Sequence, residues 1–257
     1  PDGPGRALAL HNNGVLRDAQ GDEQTAEPAY REALAIRRRV HGDHHPDVAR
    51  SIHNLGNIEL DAGNYEVAAE HYAQARDLNV AIFGADHPAV SGSLNNLGLT
   101  YRNMRRYEDS VEQLERAVTI MEQTWGPNHP DVAQTVNNLA SSAIGLGNLD
   151  DAQRYADRSM AIRLETIGAE HPDVADTRLN LAEIALLRGE IDEALAQANA
   201  AVETYEANFT PDHPLVGEAL ALRGRVQFAA GSLDEAIADL ERAAAILDEQ
   251  ASAPHQR

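Results

Sequence analysis

Small and apolar side chains recur along this chain with a period of 42 residues. Gly14, Gly56, Gly98, Ala140, Ala182 and Gly224 form one column of small residues. Twelve positions on stand Ala26, Ala68, Ser110, Ala152, Ala194 and Ala236, and seven further on Ala33, Ala75, Ala117, Ser159, Ala201 and Ala243. Small residues in register let two helix backbones approach closely. A fixed period of this length marks stacked supersecondary units, each too small to bury its own apolar face. The dipeptide His-Pro keeps the same period, at His45-Pro46, His87-Pro88, His129-Pro130, His171-Pro172 and His213-Pro214. One step earlier, Gly3-Pro4 retains only the proline.

Within each unit the local signals predict a helix hairpin. Pro46 and its equivalents suit the first helical position, where a missing N–H costs nothing. Asp47, Asp131 and Asp173 follow, at the positive end of the helix dipole. Gly63, Gly147, Gly189 and Gly231 stop the first helix, since glycine tolerates the left-handed conformation there. Asn64, Asn148 and Ser232 are expected to cap the second helix, Ser232 with Glu235 as a capping box. That helix runs to about Ile82 and its equivalents, and Gly84, Gly126 and Gly168 break it. Pro28 falls inside the second helix of the first unit. An interior proline costs about 3 kcal/mol or a kink, so this end is expected to be frayed or distorted.

The expected organisation is one array over residues 1–257, with units at about 4–45, 46–87, 88–129, 130–171, 172–213 and 214–250 and a disordered tail over 251–257. Composition narrows the function. All 21 basic residues are Arg, against 41 acidic ones, for a formal charge of -20. So acidic a chain repels phosphate backbones and anionic membranes, so neither nucleic acid nor a membrane is expected as a partner. There is no Cys, which excludes disulfides, thiolate zinc sites and cysteine nucleophiles. No apolar run is long enough to span a bilayer. Pro1 to Arg6 lacks the shape of a signal peptide, and a cytoplasmic location is the expectation. The missing initiator Met suggests a piece of a larger protein.

The pattern resembles the tetratricopeptide repeat. Leu97, Gly98 and Tyr101 carry the resemblance in a first helix, and Tyr107, Ser110, Leu114 and Ala117 in a second. The 42-residue form, with His129-Pro130-Asp131-Val132-Ala133 ahead of Asn137-Asn138-Leu139-Ala140, is similar to the kinesin light chain subfamily. The resemblance implies an all-α, right-handed superhelical solenoid of six helix-turn-helix repeats, its first helices lining the inner surface. It implies a scaffold or sensor segment that binds a protein or peptide and needs no cofactor. Bacterial proteins carry similar arrays beside kinase, ATPase or protease domains, so a module of a larger bacterial regulatory protein is expected.

One polar column points to a working face. Asn12, Asn54, Asn96, Asn138 and Asn180 stand at the same place in five first helices. Asn is a mediocre helix former, so its recurrence mid-helix suggests a use. Its amide both donates and accepts, and can hold a peptide bond without reading a side chain. In the resembled family, asparagines here line the concave groove, and that role is carried to Asn54, Asn96, Asn138 and Asn180. Neighbours differ by unit: His53, Asn95 and Asn137 just before, Asn57 three after, then Arg102 and Asn103 a turn on. The other reading is that the ladder bonds neighbouring helices and binds nothing. The sixth unit departs from it, with Leu222 in the column and Arg223 in the next, usually apolar, place.

Catalytic chemistry is not expected. The His of the His-Pro pairs stand one per unit on helices about 8–10 Å apart, too far to share a metal ion, and a capping or inter-repeat bonding role fits them better. His41, His44 and His45 cluster in one loop, where an adventitious metal site is the minor reading. Trp125 aligns with Phe83, Ile167 and Phe209 as inter-repeat packing. No phosphate loop, nucleophile elbow or metalloprotease motif appears. The competing function is a structural module that homo-oligomerises through exposed solenoid ends.

Overall fold

The computed structural model describes residues 3–252, and these are all-α. They divide into two compact units at Thr124/Trp125. The first holds α1 (Pro4–Asp18), α2 (Glu23–His41), α3 (Pro46–Asp61), α4 (Tyr65–Phe83), α5 (Pro88–Asn103) and α6 (Tyr107–Trp125), the last residue of α6 falling at the boundary. The second holds α7 (Pro130–Leu146), α8 (Leu149–Thr166), α9 (Pro172–Arg188), α10 (Ile191–Asn208), α11 (Pro214–Ala230) and α12 (Leu233–Ser252). Consecutive helices pair, and each pair packs on the next within its unit. Of the expected tail, 251–252 close α12, and residues 253–257 lie outside the described residues. Among the described residues no helix is long and apolar enough to cross a membrane.

The helix boundaries follow from the repeated signals. Each His-Pro places the proline at the first turn, and the His before it is the N-cap. The first helices of the second unit end on Gly147, Gly189 and Gly231, with φ of 75°, 77° and 82°. There Gly147 N–H donates to Ile144 O and Asn148 N–H to Ala143 O, the paired bonds that satisfy the last carbonyls of a helix. Arg105 fills the equivalent place after α5 and is forced to φ 58°, alone in positive φ among the described non-glycine residues.

The small column packs as its spacing predicts, with its partner matched in size. A Cβ on Gly14 or Gly56 would lie 2.6 or 2.8 Å from the ring of Tyr30 or Tyr72. On Gly98 or Gly224 it would meet Leu114 or Leu240 at 2.6 or 2.8 Å. Where the column holds Ala140 and Ala182, the residues at the partner position are Ala156 and Ala198, buried in the same clusters. Large side chains thus face glycine and small ones face alanine.

Two expectations are corrected. Pro28 neither breaks α2 nor frays it: the helix is continuous from Glu23 to His41. The proline sits on the exposed side of the second turn, so the only ladder bond lost is one to the Gln24 carbonyl, which water can replace. Asn64 precedes α4 without capping it through its side chain; its Nδ2 donates instead to Glu59 Oε2 at 2.9 Å. Asn148 does cap α8, accepting from the Asp151 N–H at 3.4 Å.

Candidate interaction face

The five His of the His-Pro pairs act at the helix starts. Nδ1 of His45, His87, His129, His171 and His213 accepts the backbone N–H two residues on, at 3.1–3.2 Å. Each ring therefore uses its unprotonated nitrogen as the cap. Three rings also stack on the side chain four residues earlier, His45 on His41 (centroids 4.2 Å), His87 on Phe83 (4.4 Å) and His213 on Phe209 (4.1 Å), and His129 lies tilted against Trp125 at 5.2 Å. The aromatic column thus clamps the cap of the helix that follows it, and Ile167 leaves His171 without a ring partner.

A metal reading of the first loop fares poorly. Ligand atoms of His41, His45 and Asp47, rather than of His44, lie within 4.8 Å of one another. His45 Nδ1 is already the cap acceptor. The His41 and His45 planes are nearly parallel, 15° apart. An imidazole binds a metal in its own plane at about 2.0–2.1 Å, so two rings stacked at 4.2 Å cannot share one ion without unstacking.

The asparagine column forms a bonded network between successive first helices of a unit. Asn96 on α5 donates through Nδ2 to His53 Nε2 (3.3 Å) and Asn57 Oδ1 (3.2 Å) on α3. Its Oδ1 accepts from Asn95 Nδ2 at 3.1 Å. Tyr72 donates to the same Asn57 Oδ1 at 2.8 Å. Because His53 accepts at Nε2, its Nδ1 carries the proton, and it faces Ser93 Oγ at 3.3 Å. Burial holds the His53 pKa below its ordinary value, which keeps the ring in this accepting form. The second unit repeats the arrangement. Asn180 on α9 donates to Asn137 Oδ1 (2.9 Å) and O (3.2 Å) on α7 and accepts from Ser141 Oγ (3.0 Å).

The remaining members of the predicted face are placed as follows. Asn54 is half-buried beside Tyr30. Asn138 is buried at 5% exposure, Asn12 is exposed, Arg102 is half-buried and Asn103 is exposed at the end of α5. In the last unit Leu222 replaces the asparagine, and Glu183 binds Arg225 in a bidentate pair at 2.8 and 2.9 Å instead. Arg223, in its normally apolar place, is neutralised by Asp239 through two bonds of 2.6 and 2.7 Å.

Sequence reading missed a second polar column, buried near the ends of the second helices. Arg37, Asn79 and Arg163 stand there. Asn79 Nδ2 donates to the Ala89 carbonyl at 2.9 Å, and Arg37 Nη1 to the Asp47 carbonyl at 3.2 Å. Arg163 reaches the equivalent carbonyl of Asp173 and also Thr177 Oγ1 at 2.8 Å. These three residues tie α2, α4 and α8 to the first turn of the helix that follows each. The same register holds Met121, Tyr205 and Leu247 in the other repeats, so no single residue type marks the column and only the burial of Arg37, Asn79 and Arg163 reveals it.

The tetratricopeptide repeat model matches residues 5–79, 51–123, 89–164, 131–207 and 173–249. No curated protein matches the chain. Among solved structures, BtubC (BKLC) from P. vanneervenii is 20% identical with a TM-score of 0.69, over 89% of this chain and 92% of that one. A putative kinesin light chain with nearly identical repeats from Podospora anserina is 25% identical with a TM-score of 0.62, over 80% and 98%. Aspartyl phosphate phosphatase F from Bacillus subtilis is 16% identical with a TM-score of 0.74, over 95% and 60%. The repeat fills the chain, and this fold typically serves protein–protein interaction rather than catalysis. With five overlapping matches across helix pairs capped by His-Pro, the chain belongs to the tetratricopeptide repeat family, and its structure is similar to kinesin light chain-like members.

Proposed function

We propose that the chain is a non-enzymatic scaffold that holds an extended peptide along the first helices of its units, between residue 46 and about 209, as a module of a larger bacterial regulatory protein. The observation that carries this reading is the state of the Asn96 and Asn180 amides. Both Nδ2 donors are spent on the preceding first helix, while each Oδ1 accepts one bond and has capacity for a second. A face of spare acceptors suits the N–H groups of an extended backbone. Asn54 in the first unit and Asn138 in the second complete the fixed column, while His53, Asn57, Asn95, Arg102 and Asn103 in the first unit and Asn137 in the second vary around it and supply selectivity. Peptides selected from a display library on the whole chain test it. Binders should be weakened by Asn103→Ala, an exposed change at the end of α5, and retained on Arg154→Ala, an exposed change on α8. Binding insensitive to Asn103→Ala overturns the assignment.

A second reading rests on α12. Leu233 (54% exposed), Ile237 (54%) and Leu240 (39%) form an apolar stripe on one helix. Such a stripe at helical spacing suits self-association. Light scattering over a concentration series, with Ile237→Glu as the control, separates this reading from the first; a strict monomer at all concentrations removes it.

A further inference from the structure

The chain carries the same buried arginine twice, three periods apart, with opposite surroundings. Arg37 and Arg163 are each 2% exposed. Each spans to the start of the following helix, bonding a carbonyl of its first turn and a hydroxyl of its second, Ser51 Oγ at 2.6 Å or Thr177 Oγ1 at 2.8 Å. A buried cation is costly unless it is paired. Arg163 is compensated: Asp176 lies 3.9 Å away, and Gln134 Oε1 accepts from Nη2. At the equivalent places around Arg37 the sequence has Arg50 for Asp176 and Leu8 for Gln134. A second cation thus stands where the counter-ion should be.

Arg37 spends Nη1 on three neutral acceptors: Ser51 Oγ, the Asp47 carbonyl at 3.2 Å and His11 Nδ1 at 3.3 Å. Among the described residues no carboxylate forms an ion pair with it. The nearby Asp47 carboxylate is bound to Arg50 Nη2 at 2.7 Å. Leu8, Arg37, His41, Asp47 and Arg50 line a cavity of about 300 Å³ between α1, α2 and α3. Leu8 and Arg50 are half exposed, so the cavity is open to solvent. In a chain of formal charge -20, two arginines share one cavity with a single carboxylate that is already engaged.

We propose that this cavity binds an oxyanion, a carboxylate or phosphate group, which takes the place that Asp176 holds beside Arg163. The planar forks of two guanidinium groups match such an anion bidentately, and the cavity has room for it with bridging water. The site is separate from the asparagine face and does not depend on it.

The test measures thermal unfolding and calorimetric binding of the whole chain with inorganic phosphate and, separately, acetate. Ionic strength is held constant with chloride, because screening alone relieves the self-repulsion of an acidic protein. A saturable rise in Tm with either anion supports the site; phosphate alone or acetate alone names the source. Arg50→Asp rebuilds the surroundings of Arg163. It should raise Tm without added anion and weaken anion binding at least tenfold. Arg50→Ala, a change at a half-exposed side chain, should weaken binding as well without that rise. A Tm response equal to that of chloride, or saturable binding undiminished in both variants, overturns the proposal.

Discussion

Gly56 faces Tyr72 so closely that a Cβ there would sit 2.8 Å from Cε1 of the ring. Tyr72 cannot retreat: it is fully buried, and its hydroxyl is bound to Asn57 at 2.8 Å. Gly56→Ala is therefore expected to destabilise the chain by about 1–3 kcal/mol, the range for overpacking a filled core. In a Tyr72→Ala background the same change should become neutral or stabilising by about 0.5–1 kcal/mol, the usual helix preference for Ala over Gly. Urea unfolding of the four proteins of this cycle checks the reversal of sign.

This pairing shows how far the sequence was legible. The period, the His-Pro starts and the glycine stops each encode a backbone requirement, and a requirement repeated in register stands out against variable positions. The size match of Gly56 with Tyr72, or of Ala140 with Ala156, needs knowledge of which columns meet across the hairpin, and one sequence does not contain that. The asparagine column was legible as a column, but its hydrogen bonds were not. Whether Asn96 points at a ligand or at His53 depends on distances between helices 43 residues apart in the chain. Arg37 and Arg163 escaped notice because arginine is common on exposed faces; only their burial sets them apart.

Arg105 holds a left-handed conformation, φ 58°, where Gly21, Gly63, Gly147, Gly189 and Gly231 stand in the other units. A side chain pays about 1–2 kcal/mol in that region. Arg105→Gly should therefore stabilise by about 1 kcal/mol after the added entropy of the unfolded glycine is subtracted. Thermal or urea unfolding should show a higher midpoint with unchanged slope; a lower midpoint would mean that the cation–π contact of its neighbour Arg106 with Tyr101, 4.4 Å, depends on the strained turn.

The His caps differ in one respect that can be measured. His171 caps α9 without an aromatic partner, whereas His213 caps α11 and stacks on Phe209 at 4.1 Å. His171→Ala should cost about 1 kcal/mol, the value of a lost N-cap. His213→Ala should cost about 0.5–1.5 kcal/mol more, because the ring contact goes with the cap. Asn at either position restores the acceptor alone, so His171→Asn should be close to neutral and His213→Asn intermediate.

His11 gives the first unit a pH dependence. The ring is 6% exposed and accepts from Arg37, and burial together with the charges of Arg37 and Arg50 lowers its pKa from 6.5 to about 4, against the opposing pull of Asp47. The unfolded chain takes up this proton near pH 6.5 and the folded chain only near pH 4. Stability is thus complete above about pH 6.5 and is lost as pH falls toward 4, by on the order of 2–3 kcal/mol. Burial shifts His53 and His71 in the same direction, so the comparison must be made against His11→Gln. The variant should show a shallower loss of stability between pH 7 and pH 5 in urea titrations. Equal slopes would place the acid sensitivity elsewhere.

Asn96 is where stability and binding meet, and the two must be separated. Its Nδ2 serves both His53 and Asn57, so Asn96→Ala strands two acceptors in a half-buried network. The expected cost is about 1–2 kcal/mol, enough to lower Tm measurably, and lost binding in this variant would not by itself identify a contact. Asn103 is exposed at the end of α5, so Asn103→Ala should leave Tm within error. If a peptide lies along this face, Asn103→Ala weakens it without touching stability, while Asn96→Ala weakens it and lowers Tm together. Asn96→Asp sharpens the distinction. It sets a carboxylate against His53 Nε2, which must then take up a proton to keep the bond, so its Tm should rise as pH falls through the raised His53 pKa while the parent's does not. A Tm that is flat in pH for Asn96→Asp would mean that the ring is not held by this amide, and the network would lose its central link.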